Sequence, residues 1–182
     1  FSFPDAMAPY RDPHGRLCDI GQQGPVWFLA GTDGRDWVQR RCVVPTGKHL
    51  FLPIINMFHR SASPVPSWRQ QVACDSLRRS SAVNNDSLSS AQVLIDGVPL
   101  RHPERFRVRT STCFDPFPTT GSDKASGYLG ASDGYWLLLP PLSPGRHTIA
   151  IGANYGNTDS ANAYSDMLQN FEYILEVGGE SI

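Results

Sequence analysis

The chain has 182 residues, a formal charge of −1 and 40% apolar residues, enough for one domain with a real core and little more. Charged residues make up 18%, below the usual quarter, and no block of like charge occurs, which argues against a charged tail and against broad nucleic-acid binding. No apolar run approaches the roughly 20 residues a membrane-spanning helix needs, and the opening Phe1-Ser2-Phe3-Pro4-Asp5 reads as the start of a mature or trimmed chain rather than as a signal peptide.

Glycine and proline number 16 and 15, well above the typical ~12% of a chain taken together, and they are scattered as punctuation between short elements. Aspartate outnumbers glutamate 13 to 4, and arginine outnumbers lysine 14 to 2. Few Glu and Lys means few surface helix formers, and Asp with Gly is turn chemistry. The composition points to an all-β or mostly β domain. Cys18, Cys42, Cys74 and Cys113 show no CxxC spacing, so a zinc ribbon or thioredoxin-like motif is disfavoured. Four dispersed cysteines in a turn-rich domain point to two disulfides and an exported protein, secreted or periplasmic. Three connectivities are open. Cys18–Cys42 with Cys74–Cys113 closes the shorter loops and is preferred, and four buried thiols in a cytosolic protein are the alternative.

In chain order, residues 1–24 read as an irregular N-terminal arm and 25–182 as the domain. A continuous apolar run at 25–30 is the first strand candidate. A second at 37–44 places Val38, Cys42 and Val44 on one face, with Gln39 and Arg41 on the other. A third at 50–58 is strongly apolar and reads as a core strand despite Pro53. Ser67 can cap a short helix over 68–79, and 80–90 reads as a polar, mobile loop. Residues 93–100 read as two strands joined at Asp96-Gly97, the strongest short hairpin signal. From Arg105 to Phe114 the pattern alternates, with Phe106, Val108, Thr110, Thr112 and Phe114 facing one way and Arg105, Arg107 and Arg109 the other. A long loop over 115–133 follows, then strands at 135–139, 146–151 and 171–177. About eight strands, long loops and one short helix predict a single-domain antiparallel β-sandwich, with a jelly roll as one form of it.

The segments Gly24-Pro-Val-Trp-Phe-Leu-Ala-Gly31, Cys42-Val-Val-Pro-Thr-Gly-Lys-His-Leu-Phe-Leu-Pro-Ile-Ile-Asn56 and Ser132-Asp-Gly-Tyr-Trp-Leu-Leu-Leu-Pro-Pro-Leu-Ser-Pro-Gly-Arg-His-Thr-Ile149 carry a resemblance. The chain resembles, over roughly residues 18–177, an uncharacterised group of exported bacterial proteins. The resemblance implies an exported bacterial protein and carries over no activity and no site residue.

Several residue groups could carry chemistry. Arg105, Arg107 and Arg109, with Arg101 nearby, would stand roughly 6.5–7 Å apart along one strand face, a spacing suited to a uronic or sulfated glycan or a phosphate surface. The structural alternative is a cross-strand ladder to Glu172 and Glu176. Exposed aromatic faces stack on sugar rings. Trp27 and Trp136, in apolar runs, read as core, whereas Trp37, Trp68, Tyr128, Tyr155 and Tyr164 lie near turns or loops. His14, His49, His59, His102 and His147 form no metal motif. Asn157, Asp159 and Asn162 offer oxygen ligands, so calcium is the one cofactor considered and no other is expected. Among acid–base groups, His102 with Asp115 is the candidate catalytic pair, and Glu104 with Asp115 or Asp123 the only acid pair a glycosidase could use. No GxSxG, P-loop or GxGxxG motif is present.

The expected function is that of an exported β-sandwich binding module for an extracellular glycan or cell-surface polymer, with Arg105, Arg107, Arg109, Trp68, Tyr128 and Tyr155 as contacts. No nucleic acid and no membrane span are expected, and an oligomer is an open option. The alternatives are a small enzyme with a loop-assembled metal or acid–base site and a structural subunit of a surface assembly.

Overall fold

The computed structural model describes residues 7–34, 37–117, 126–156 and 168–179. Nine strands and one helix follow in chain order: β1 (Val26–Phe28), β2 (Val38–Val44), β3 (His49–Arg60), α1 (Gln70–Ala82), β4 (Leu88–Ile95), β5 (Val98–Pro99), β6 (Arg107–Arg109), β7 (Gly130–Leu139), β8 (Gly145–Tyr155) and β9 (Leu168–Val177). They form a four-stranded sheet, β1-β3-β7-β6, and a five-stranded sheet, β2-β9-β8-β4-β5. The two pack as a sandwich, as the strand spacing predicts.

Both sheets are mixed rather than purely antiparallel. β1 runs parallel to β3 and β2 parallel to β9. The chain leaves β1 for the opposite sheet, runs β2 there, and returns as β3, so no hairpin ties β1 to β3 and their directions coincide. The β4–β5 turn is the one the Asp-Gly pair predicts: Asp96 and Gly97 both take positive φ, 51° and 78°, as a tight two-residue hairpin requires. Pro53 sits in a central strand, where a missing N–H is normally excluded. The register of β3 shifts between Pro53 and Ile55, and this bulge absorbs the missing donor.

The core lies between the sheets. Leu50, Leu52, Ile54 and Ile55 from one sheet meet Ile149, Ile151, Phe171, Tyr173 and Leu175 from the other, all fully or nearly fully buried. Two disulfides, Cys18–Cys42 and Cys74–Cys113, follow the shorter-loop pairing. The first pins the arm to β2, and the second pins α1 to the segment after β6.

Arg40 shares the inward face of β2 with Cys42 and Val44 and is buried. Its Nε donates to the Asp12 carbonyl at 2.6 Å. Nη1 donates to the carbonyls of Ala30 at 2.7 Å and Gly31 at 2.8 Å and to the Tyr173 hydroxyl at 2.9 Å. Nη2 donates to the Tyr10 carbonyl at 3.0 Å. The arm, the segment after β1 and β9 are thereby tied to one guanidinium. The Asp12 carboxylate turns the arm by accepting from the backbone N–H groups of His14 and Leu17. Burial works against its charge, but those donors and the Arg40 charge hold its pKa below the usual carboxylate value.

The segment over 80–90 is ordered structure, not the mobile loop its polarity suggests. α1 continues to Ala82, a 3-10 turn covers Asn85–Ser87, and β4 starts at Leu88. Ser81, Asn84 and Asn85 are buried. The Asn85 carboxamide donates to the carbonyls of Ser81 at 2.9 Å and Asp133 at 3.0 Å and accepts from the Tyr155 hydroxyl at 2.6 Å. The Asn85 carbonyl accepts from the Tyr135 hydroxyl. Because Tyr135 and Tyr155 come from opposite sheets, Asn85 bridges the sandwich. The paired polar groups make this segment a satisfied plug rather than a solvated loop.

Replacing Arg40 with Leu removes a donor from four backbone carbonyls, of which that of Ala30 keeps the Tyr173 hydroxyl. At roughly 1 kcal/mol or more for each of the three acceptors left unpaired, Arg40→Leu is expected to lose about 3 kcal/mol of stability, measured as a lower urea midpoint with the disulfides intact.

Candidate functional site

The expected strand from 105 to 114 is largely absent. Pro103–Phe106 is a 3-10 turn entered through His102 in the left-handed region at φ 58°. Arg107–Arg109 pairs with β7, with Arg107 opposite Tyr135, Val108 opposite Gly134 and Arg109 opposite Asp133, and further on Phe114 returns to β7 through an isolated bridge to Gly130. Arg105 therefore lies in a turn and does not continue the face of Arg107 and Arg109.

The two faces of β6 are also the reverse of a simple apolar-inward pattern. Val108 points outward and is 61% exposed. Arg107 and Arg109 point to the side that α1 covers. Arg107 engages Asp133 with two bonds, Nε to Oδ1 at 2.8 Å and Nη2 to Oδ2 at 2.9 Å, and also reaches Asp86 at 2.7 Å. Arg109 pairs with Asp86 at 3.2 Å and with Asp133 at 3.3 Å. Asp133 is buried, so its charge has to be matched there, and this outweighs the apolar pattern of the strand. Burial works against the Arg107 charge. The bonds to Asp133 and Asp86 more than offset it and raise the Arg107 pKa. The alternative ladder to Glu172 and Glu176 does not form, because β9 belongs to the other sheet: Glu172 accepts from the Gln39 side chain at 2.6 Å, and Glu176 stands opposite Arg146.

Two recesses meet at β6. One is a charged cleft of about 340 Å³ between α1 and the sheet, with Asp75, Arg78, Arg79, Asp86, Arg109 and Asp133 among its lining. Arg78 braces it by donating to the Thr110 carbonyl at 3.0 Å. The other, of about 240 Å³, lies on the outer face of the four-stranded sheet and is walled by Phe51, Trp136, Val108, Arg109, Thr110 and Ser132. Arg109, Thr110 and Ser132 belong to both.

The outer recess follows from small residues. Gly130, Ser132 and Gly134 are the outward positions of β7 in this stretch. A Cβ on Gly134 would come within 2.3 Å of the Asn56 Cβ, so the close approach of β3 and β7 there excludes any side chain. Aromatics stand along the neighbouring positions. Phe51 and Trp136 stack with centroids 5.4 Å apart, and Phe28 meets Phe51 edge-on at 5.7 Å. Phe28 is 54% exposed, and Trp136 is half-buried rather than a core residue.

The other sequence candidates fall elsewhere. Tyr155 is buried and bonded to Asn85, and burial raises its pKa well above the ordinary phenol value. It is core, with no ring face open to a ligand. Tyr128 is half-buried, edge-on to Phe117 at 5.2 Å. Trp68 is 79% exposed, with the Arg69 guanidinium 5.5 Å from its ring centroid, and lines neither recess. His102 and Asp115 are not a pair. His102 Nδ1 contacts Glu104 at 3.0 Å. Asp115 caps its own loop, accepting from the Ser126 hydroxyl and from the backbone N–H groups of Ser126 and Phe117, and the Ser126 bond leads in lowering its pKa. Asn157, Asp159, Asn162, Asp123 and Tyr164 lie outside the described residues. Among the described residues, no three His, Cys, Asp or Glu side chains are grouped to hold a metal ion, and no helix is long and apolar enough to cross a membrane.

A Ser–His–Asp array occurs where no sequence motif marks it. His147 Nδ1 lies 2.7 Å from Asp96 Oδ2, and Nε2 lies 3.3 Å from Ser143 Oγ. However, Nε2 is closer, at 2.9 Å, to the Ser143 carbonyl oxygen, which can only accept. Nδ1 faces a carboxylate and Nε2 a carbonyl that competes for its proton, so Nε2 is turned to donate rather than to take the Ser143 hydroxyl proton as a general base does. Pro144 follows the serine and offers no N–H to an oxyanion. The array is a clip between the β4–β5 turn and the loop before β8. The Asp96 bond leads in raising the His147 pKa, and His147 in turn lowers that of Asp96.

Comparison with protein-family models, with curated proteins and with solved structures yields no match.

The histidines give a pH dependence of known sign. The raised pKa of His147 contributes stability that is full below the ordinary imidazole value of about 6.5 and is lost as pH rises through the folded value. The lowered pKa of Asp96 contributes stability that is lost as pH falls through its folded value. His59, half-buried with Nδ1 3.2 Å from Ser81 Oγ of α1, has its pKa lowered by desolvation, so its neutral form is native and stability declines below about 6.5. In urea midpoints taken from about pH 5 to 8, the Asp96→Asn variant is expected to lose less stability than wild type on the alkaline side while keeping the acid-side decline set by His59.

Proposed function

We propose that this domain is an exported binding module for an extracellular glycan or cell-surface polymer, of the bacterial exported type that its Pro-Val-Trp-Phe-Leu-Ala and Tyr-Trp-Leu-Leu-Leu-Pro-Pro segments resemble. The observation that carries this reading is the meeting of an aromatic recess and a guanidinium-lined cleft at Arg109, Thr110 and Ser132. A sugar ring has an apolar face that stacks on indole and phenyl rings, and polar substituents at its rim that suit charged donors. Both meet here at the residues that the two recesses share. The two disulfides fit an oxidising, non-cytoplasmic compartment and support a secreted or periplasmic location. The contacts assigned to ligand are Trp136, Phe51 and Val108 for stacking and Arg109 for polar recognition. Arg107 serves as the positioning residue that fixes Asp133 behind Arg109.

Retention on insoluble polysaccharide tests the reading. Stacking of one ring on an aromatic side chain is worth about 1–3 kcal/mol by analogy with base stacking. Trp136→Ala is therefore expected to weaken retention by roughly 5- to 150-fold, and Trp68→Ala, which lines neither recess, to leave it unchanged. Equal retention of wild type and Trp136→Ala, with an unchanged circular dichroism spectrum, removes the assignment.

A further inference from the structure

We infer that the saccharide taken by this site is a uronate, a pyranose bearing a carboxylate directly on the ring, and that Arg79 is its principal anion contact; this rests on the glycan-binding reading above. The charge count of the cleft leads to it. Three guanidiniums, Arg78, Arg79 and Arg109, and three carboxylates, Asp75, Asp86 and Asp133, line the cleft, and Arg107 adds a fourth cation from behind the lining by pairing with Asp86 and Asp133. At the floor, Arg107 and Asp133 close on each other through two bonds, and Arg109 bridges Asp86 and Asp133. Arg78 pairs with Asp75 at 3.6 Å. Arg79 is exposed and has no ion-pair partner among the described residues. The surplus cation therefore sits at the lip, on the last turns of α1.

A neutral sugar makes no use of that surplus, whereas a carboxylate matches a guanidinium in plane and with two bonds. Placement then narrows the ligand. Arg109, Thr110 and Ser132 border both recesses, so a ring seated against Trp136 and Val108 has the mouth of the cleft at its Arg109 edge, and an anionic group attached directly to the ring is the substituent that faces it. The bidentate Arg107–Asp133 pair displays the same recognition within the protein. The loop around Asp115 and the apolar face of Trp68 and Val72 offer no comparable charge match.

The test is calorimetric titration with oligomers of polygalacturonate, alginate and hyaluronan, each beside its carboxyl-methylated form, with dextran sulfate and neutral mannan as further probes. Expected is binding of at least one uronate oligomer, weakening with added salt, with its methyl ester at least about 10-fold weaker. Arg79→Gln is expected to weaken the acid form by about 10-fold, the range of one charge-assisted hydrogen bond, while leaving the methyl ester unchanged. Because Arg79 has no ion-pair partner among the described residues, an unchanged melting temperature is expected for this variant, and Arg79→Glu supplies a stronger form of the same change. The inference is overturned if acid and ester bind alike, if Arg79→Gln and Arg79→Glu bind the uronate as wild type does, or if dextran sulfate binds and no uronate does. In those cases loss of binding in Trp136→Ala still supports the glycan reading. If no saccharide of any charge binds, both fail.

Discussion

Five hydrogen bonds from one buried guanidinium hold the N-terminal half of this domain together. Arg40 stands on the inward face of β2, where an apolar side chain would ordinarily be, and directs its donors to the carbonyls of Tyr10, Asp12, Ala30 and Gly31 and to the Tyr173 hydroxyl. Irregular backbone has carbonyls that no ladder satisfies, and burying them without donors is costly. A planar, permanently charged group with five N–H donors is the one side chain able to serve several such carbonyls at once. The arm can therefore lie across the sandwich without secondary structure. The Cys18–Cys42 disulfide, two residues along the same face of β2, keeps it there. The Gln22 side chain extends the hold by pairing with both backbone groups of Phe28, which also shields the open edge of β1.

The opposite end of the sandwich is closed in a different way. The sheets there are bridged by polar side chains rather than by aliphatic packing. Ser81 donates to the Ala131 carbonyl, and Asn85 links Tyr135 of one sheet to Tyr155 of the other. α1 presents few large apolar side chains to β7 and depends on these bonds and on the Cys74–Cys113 bridge. Because the helix is anchored by its polar C-terminal turn, it stands over Asp133 and β6 instead of sealing against them. The charged cleft is the space that remains.

The candidate site is thus a by-product of a short edge strand. β6 has three residues, and Arg109 at its end lines a recess on each face of the sheet. The inward side chains Arg107 and Arg109 neutralise a buried aspartate, and the outward Val108 joins the aromatic row of Phe51 and Trp136. A longer strand of alternating pattern would separate these faces by an unbroken ladder. Here the turn at 103–106 and the irregular chain after Arg109 leave both recesses open to the same solvent, with Arg109 at their shared rim.

The sequence by itself determined the sandwich class, most strand positions, the Asp96-Gly97 hairpin and the disulfide framework. These rest on local signals: residue alternation, turn chemistry and cysteine spacing. Only the tertiary structure decided which polar residues are buried and which apolar ones are exposed, because that depends on partners distant in the chain. Arg40 alternates with Cys42 and Val44, but its carbonyl partners belong to segments without periodicity. Ser81, Asn84 and Asn85 have a loop's composition and a plug's environment. Arg107 and Arg109 were legible as a pair, whereas Asp86 and Asp133, which turn them inward, carry no motif. Trp136 lies in an unbroken apolar run, and such a run conceals which alternate positions face the core. The parallel pairing of β1 with β3 and of β2 with β9 likewise leaves no local trace, since direction within a sheet is fixed by the path of the chain between strands and not by the strands themselves.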